Sequence, residues 1–124
     1  MEEVGDAAEV DALLDAGAPG AHARPGSPGI ECWLGLREAG VLQAVGALVR
    51  QPDGTGHLRA VTVLPEARGR GYGRTLSRAL TRRALAGRSG VATLGVYVEN
   101  DPAVAIYRGL GYSVVHTFAS GPVS

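Results

Sequence analysis

The stretch Ala60-Val61-Thr62-Val63-Leu64-Pro65-Glu66-Ala67-Arg68-Gly69-Arg70-Gly71-Tyr72-Gly73-Arg74 decides how this chain is read. It joins a β-branched apolar run to a glycine-rich turn, and the turn to a helical pattern running from Tyr72 to Ala86. Glycine has no Cβ, so such a turn lets the backbone approach a ligand closely and adopt positive φ. The first N–H groups of the helix have no intrahelical partner and carry the positive end of its dipole. Strand, glycine turn and helix together suit a diphosphate, which can accept several N–H bonds there without a lysine. The plainer alternative is a tight turn with basic decoration.

Elimination narrows the type of loop. A dinucleotide fingerprint needs a third glycine three residues after its second, and that place holds Arg74 or Leu76, depending on where the pattern starts. No acidic residue follows about twenty positions on to hold a ribose. A nucleoside-triphosphate loop needs Gly-Lys-Ser/Thr, and the chain has no lysine. What remains is Arg68-x-x-Gly71-x-Gly73 after a strand ending Val63-Leu64-Pro65-Glu66.

Beyond the loop, Leu76, Ala79, Leu80 and Ala84 recur at helical steps, Arg74, Arg78 and Arg82 share another face, and Gly87 stops the helix. Val91 to Val98 reads as the next strand, so the segment forms a β-α-β unit with parallel strands. Asn100-Asp101-Pro102 starts a further helix, with Asp101 as cap and Pro102 in the first turn. Ala103, Ile106, Tyr107 and Leu110 share a face of it, Gly109 and Gly111 close it, and Tyr112 to Phe118 supplies a last strand.

On the other side of the loop, His57 to Leu64 is a strand preceded by the turn Gln51-Pro52-Asp53-Gly54-Thr55-Gly56. Ile30 to Arg37 and Val41 to Gln51 form an antiparallel pair joined by Glu38-Ala39-Gly40, which makes the three strands a meander. Cys32, Leu34 and Leu36 fall on one face of the first, and the second is apolar almost throughout, as in a strand covered on both sides. Residues Glu2 to Ala16 read as an amphipathic helix presenting Val4, Ala8, Leu13 and Leu14, with Gly17 as its stop. Ala18 to Gly29 has prolines and glycines without periodicity and reads as a loop. The expected division is therefore an acidic helix and loop over 1–29, followed by an α/β (α+β) domain over 30–124. That domain has a mixed sheet: an antiparallel meander, a β-α-β unit, a helix and a final strand.

A chain of 124 residues with 45% apolar content supports one globular core. No apolar stretch reaches the roughly 18 residues of a membrane span, and the acidic start has the wrong sign for a secretory signal. A single cysteine, Cys32, makes no internal disulfide, which fits a reducing cytoplasm. One Cys and three scattered His (His22, His57, His116) have no metal-ligand spacing, so no metal is expected. Six of the twelve acidic residues precede Gly17 and read as a solvated helix face, whereas eight of the twelve arginines lie between Arg59 and Arg88. That arginine cluster draws anions to one region. The pI near 6.8 and the absence of interleaved aromatics argue against nucleic acid as partner.

Arg68-x-x-Gly71-x-Gly73 resembles the acetyl-CoA pyrophosphate loop of the GNAT superfamily of N-acetyltransferases. Asn100-x-x-Ala103-x-x-x-Tyr107-x-x-x-Gly111-Tyr112 is similar to the segment that follows it there, at the expected separation. The resemblance covers about residues 57 to 118. It implies an acetyl-CoA-dependent transfer of an acetyl group to a primary amine by direct attack in a ternary complex. Arg68, Gly69, Arg70, Gly71, Tyr72, Gly73 and Arg74 would hold the diphosphate. Backbone groups around Val61 and Val63, with Asn100 opposite, would hold the pantetheine. Tyr107, a phenol with reference pKa about 10, would protonate the departing thiolate. His57, eleven residues before Arg68, stands where many members carry a glutamate, and its imidazole would accept the amine proton. The alternatives for these residues are a core tyrosine at 107, a helix-capping Asn100 and an exposed histidine at 57. Glu99 or a water chain could instead serve as base, and Cys32 is not expected to act as a nucleophile. The family domain usually begins with a strand and one or two helices, whereas only a helix and a loop are expected before Ile30 here. A non-catalytic acyl-CoA-binding or partner-docking module is the competing reading, and exposed sheet edges make a homodimer plausible.

Overall fold

The computed structural model describes residues 1–21, 23–94 and 108–110. The predicted N-terminal helix is divided. Glu2–Glu3 form a short strand, β1, and the helix α1 runs only from Ala7 to Gly17. Gly5 and Asp6 cause the division: the Asp6 carboxylate accepts from the N–H groups of Ala8 (3.0 Å) and Glu9 (3.3 Å), an N-cap that fixes the helix start. Upstream of it the chain is extended, and the Val4 N–H donates to Trp33 O at 2.8 Å. A strand therefore precedes the helix after all. The buried face of α1 is Val10, Leu13 and Leu14, with Val4 packing from the segment before it and Ala8 left exposed.

Strand β2 (Ile30–Glu38) and strand β3 (Val41–Arg50) pair antiparallel as expected. Ala39 and Gly40, both at positive φ (52° and 81°), form a two-residue turn whose twist matches that of the strands. Strand β4 (Gly56–Val63) returns against β3, and a short β5 (Ala92–Leu94) runs parallel to β4 from Gly56↔Ala92 to Leu58↔Leu94. The sheet order is β1-β2-β3-β4-β5, with helix α2 (Tyr72–Leu85) making the crossover between the parallel pair.

β3 is buried on both faces, as its apolar run requires. On one face Leu42, Val45 and Ala47 meet Trp33 and the Val10-Leu13-Leu14 stripe of α1. On the other, Ala44 and Leu48 meet Cys32, Leu34, Leu58 and the Leu76-Leu80-Ala84 stripe of α2. Each fully buried leucine there stabilises the fold by roughly 1.5–3 kcal/mol. Glycines set how closely α2 lies on the sheet: a Cβ on Gly46 would stand 2.7 Å from Leu80 Cδ1, and one on Gly56 2.6 Å from Ala84 Cα. Arg50 closes the far end of the helix. Its guanidinium donates to the carbonyls of Ala84 (3.0 Å), Arg83 (3.1 Å) and Gly54 (3.0 Å) while pairing with Glu31 (3.0 Å).

The acidic start stays largely exposed, and its charges are paired as well. Glu2 and Glu9 pair with Arg37, Glu3 with Arg83, and Asp11 and Asp15 with Arg24, so these charges tie the N-terminal segment to the sheet, to α2 and to its own following loop. Among the described residues no helix is long and apolar enough to cross a membrane.

Candidate active site

Two irregularities, one in β4 and one just after it, build the site. The first is a bulge. The β3–β4 register passes from Val45↔Thr62 to Ala47↔Arg59, so β4 spends one more residue than β3, and Ala60 takes up the excess at φ 54°. An alanine in the left-handed region is uncommon and marks a backbone held by its surroundings. Here the Thr62 hydroxyl donates to Ala60 O at 2.9 Å. Past the bulge, Val61 and Val63 both pack toward the α2 side. The described part of β5 accompanies β4 only from Gly56 to Leu58, so residues 59–63 have no ladder partner on that edge among the described residues.

The second irregularity is the glycine loop. After a 3₁₀ turn at Pro65–Ala67, Gly69 (φ 84°) and Gly71 (φ 81°) turn the chain, and Gly71 is the residue before the first turn of α2. No side chain caps this helix. The helix begins its bonding with Thr75 N–H to Gly71 O at 3.1 Å, and the N–H groups of residues 69–74 have no partner among the described residues. A Cβ at Gly69 or Gly71 would meet nothing within 4 Å among the described residues. A row of amides at a helix start, without partners among the described residues, fits a diphosphate.

The side chains of the loop point in different directions. Arg68 reaches back, donating to Val63 O (3.3 Å) and Gly17 O (3.2 Å), and so ties the loop to the ends of β4 and α1. Arg70 and Tyr72 both turn to Glu38: Arg70 Nη1 lies 3.4 Å from Glu38 Oε2, and the Tyr72 hydroxyl donates to the same oxygen. Gly73 sits against Val63, its would-be Cβ 3.6 Å from Val63 Cγ2. Arg74 is exposed, and its Nη2 lies 3.7 Å from where a Gly109 Cβ would stand. Residues 108–110, the end of the second motif, thus approach the start of α2. Tyr107, Asn100 and Glu99 lie outside the described residues, as do Val91–Val98 beyond Leu94 and the expected last strand.

His57, at the other end of β4, is buried at 7% exposure, which rules out the exposed histidine. Its Nδ1 lies 2.8 Å from Thr93 Oγ1 on β5. Burial, with the Arg59 charge adding to it, holds the imidazole below its ordinary pKa, so it is neutral at pH 7. Nε2 has no partner among the described residues. Cys32 is buried too. Burial pushes its thiol up, against the opposing pull of Arg83, whose Nη1 donates to Sγ at 3.1 Å. A neutral, buried thiol is a packing residue, not a nucleophile.

Sequence patterns gave no sign of Glu38, because its place beside the loop comes from strand direction: β2 and β4 run the same way, so both end on one rim. A separate open groove of about 630 Å³, lined by residues including Glu31, Arg50, Pro52, Arg83 and Arg88, lies at the opposite end of α2. Its arginines are already engaged, Arg88 with Pro52 O and the others as above.

Known proteins bear out this architecture. The model of the FR47-like protein family matches residues 33–119. Mycothiol acetyltransferase of Corynebacterium urealyticum is 39% identical over 71 residues, covering 54% of this chain and 20% of that protein. The N-alpha-acetyltransferase RimI of Mycobacterium tuberculosis is 36% identical over 86 residues, 67% of this chain and 52% of that one. A GNAT-family structure from Novosphingobium aromaticivorans superposes with a TM-score of 0.76 at 28% identity, over 90% of this chain and 50% of its own. The chain belongs to the FR47-like family, within the GNAT superfamily. It spans about half the length of the RimI relative and a fifth of the mycothiol acetyltransferase.

Proposed function

We propose that this chain transfers an acetyl group from acetyl-CoA to a primary amine by direct attack in a ternary complex. The observation that carries the reading is the run of amides over residues 69–74 at the start of α2, which has no partners among the described residues. The amides and Arg74 hold the diphosphate, while Arg68 braces the loop from behind. Acetyl-CoA supplies the activated thioester. The edge of β4 beyond the Ala60 bulge, which has no ladder partner among the described residues, offers backbone groups around Val61 and Val63 to the pantetheine and an N–H to the acyl oxygen, and Asn100 helps hold the pantetheine, as the resemblance implies. A fixed N–H in a water-poor cleft is worth up to a few kcal/mol to a developing oxyanion. Tyr107 gives its phenolic proton to the leaving thiolate.

His57 takes the proton from the amine. In the tautomer this reading requires, Nδ1–H donates to Thr93 Oγ1 and Nε2 is the accepting nitrogen, and the lowered pKa keeps that nitrogen unprotonated at neutral pH. The relatives' names, acetyltransferases both, support the reaction class. The lone Cys32, without a disulfide partner in the sequence, supports a reducing, cytoplasmic setting for the reaction.

The test follows free thiol in a mixture of the chain, acetyl-CoA and a panel of primary amines across pH. Amine-dependent thiol release is expected, with kcat/KM falling on the acid side only below about pH 6.5, the ordinary imidazole value. The sign follows from the depressed pKa: protonation, which inactivates the base, sets in at lower pH than for a free histidine. Acetyl-CoA binding without thiol release would overturn the transfer, and a His57→Gln variant that keeps both the rate and the acid limb would remove His57 as base.

A further inference from the structure

Glu38 takes no part in the chemistry above, yet its carboxylate engages the two side chains that flank Gly71. Oε2 lies 3.4 Å from Arg70 Nη1 and also accepts from the Tyr72 hydroxyl. The placement is fixed by backbone. Glu38 is the last residue of β2, in register with Val41 across the tight Ala39-Gly40 turn, so the carboxylate sits on a short hairpin at the rim of the loop. The neighbouring Arg37 is occupied by Glu2 and Glu9, which leaves Arg70 as the only cation that Glu38 meets among the described residues.

We infer that Glu38 is a latch on the phosphate loop, which competes with the diphosphate for Arg70 and pins Tyr72 to the β2–β3 hairpin until ligand enters. The inference rests on the reading of residues 68–74 as the diphosphate site. Two electrostatic effects act in the same direction. The carboxylate repels an anion arriving well within the screening length of about 8 Å, and Arg70 cannot turn fully to a phosphate while it faces Glu38. Both side chains are half-exposed, at 55% each, so the latch is weak enough to open on binding. Glu38 is thus a positioning residue that sets the affinity for acetyl-CoA and leaves the transfer step to others.

The test is a double-mutant cycle read by calorimetric Kd for acetyl-CoA, with KM and kcat alongside. Glu38→Gln keeps an acceptor for the Tyr72 hydroxyl and removes the charge. The expected result is a Kd and a KM lower by about threefold to fivefold, the range of an exposed ion pair, with kcat unmoved and a gain that shrinks as salt rises. In an Arg70→Gln background the same change should give a clearly smaller gain. A Glu38→Gln variant that binds acetyl-CoA no more tightly than the parent, or that gains equally without Arg70, overturns the latch while leaving the diphosphate site standing. Failure of parent and variant alike to bind acetyl-CoA overturns the site itself, and the latch with it.

Discussion

Tyr107→Phe is expected to lower kcat about a hundredfold or more while the Kd for acetyl-CoA stays within about twofold, the scale of a lost general acid. The substitution removes one hydroxyl and keeps the ring, so apolar packing by the side chain is conserved. What it removes is the proton that would neutralise a departing thiolate. A phenol with pKa about 10 is protonated at neutral pH and so is poised to donate. Gly109, two residues on from Tyr107 in the chain, lies beside Arg74 at the start of α2, where the coenzyme's diphosphate is assigned. Single-turnover rates and calorimetry on the same preparation separate the two quantities. Equal rates would remove Tyr107 from the chemistry, and a Kd that weakens in step with kcat would make it a binding residue instead.

Gly56→Ala is expected to lower Tm by about 5–12 °C, the effect of roughly 1–3 kcal/mol of overpacking in a domain of this size. The added methyl would fall on Ala84, whose Cα lies 2.6 Å from the ideal Cβ position. Neither side can yield easily. Gly56 is held by β3 on one side and donates its N–H to Val91 O at 3.0 Å on the other. Ala84 lies in the last turn of α2, whose carbonyls Arg50 binds. The helix would have to lift from β4, loosening Leu76 and Leu80 as well. Gly5→Ala is the control, since a Cβ there meets nothing within 4 Å. A Gly56→Ala melting curve that matches the Gly5→Ala curve would show that α2 is not seated on Gly56 as described.

Much of this fold can be read from periodicity because most elements obey one local rule each. The alternation in Ile30–Arg37, the unbroken apolar run in Val41–Arg50 and the four-residue spacing of Leu76, Leu80 and Ala84 lead to β2, β3 and α2. The N-terminus misleads for an equally local reason. Val4 has the spacing of a helical core residue, but Asp6 caps the helix two residues later, and β1 gains its ladder only from a strand some thirty residues on. Tertiary pairing of that kind leaves no local trace. The acidic run shows the same limit: its charges face solvent, but the partners Arg37 and Arg83 are distant in sequence, so the pairing emerges only in the folded chain.

The site divides in a similar way. Glycines at 69 and 71 announce positive φ because other residues adopt it at a cost, and the structure has both there. The bulge at Ala60 is silent in sequence, since alanine is a poor marker of a left-handed backbone. His57 follows a glycine-rich turn and for that reason looked exposed, yet β5 comes alongside and buries it against Thr93. Arg68 also holds two carbonyls, one of them at the end of α1, a tie that the loop motif does not announce. Glu38 could be found only by counting strand directions through the meander.

The central claim is that main-chain N–H groups between Gly69 and Arg74 grip the diphosphate of the coenzyme. A crystal structure of the chain with CoA tests it most directly. The account predicts diphosphate oxygens within about 3.2 Å of amide nitrogens in that stretch, with Arg70 swung from Glu38 toward them. A diphosphate bound elsewhere, for instance in the Arg50-Arg83-Arg88 groove at the opposite end of α2, would contradict it.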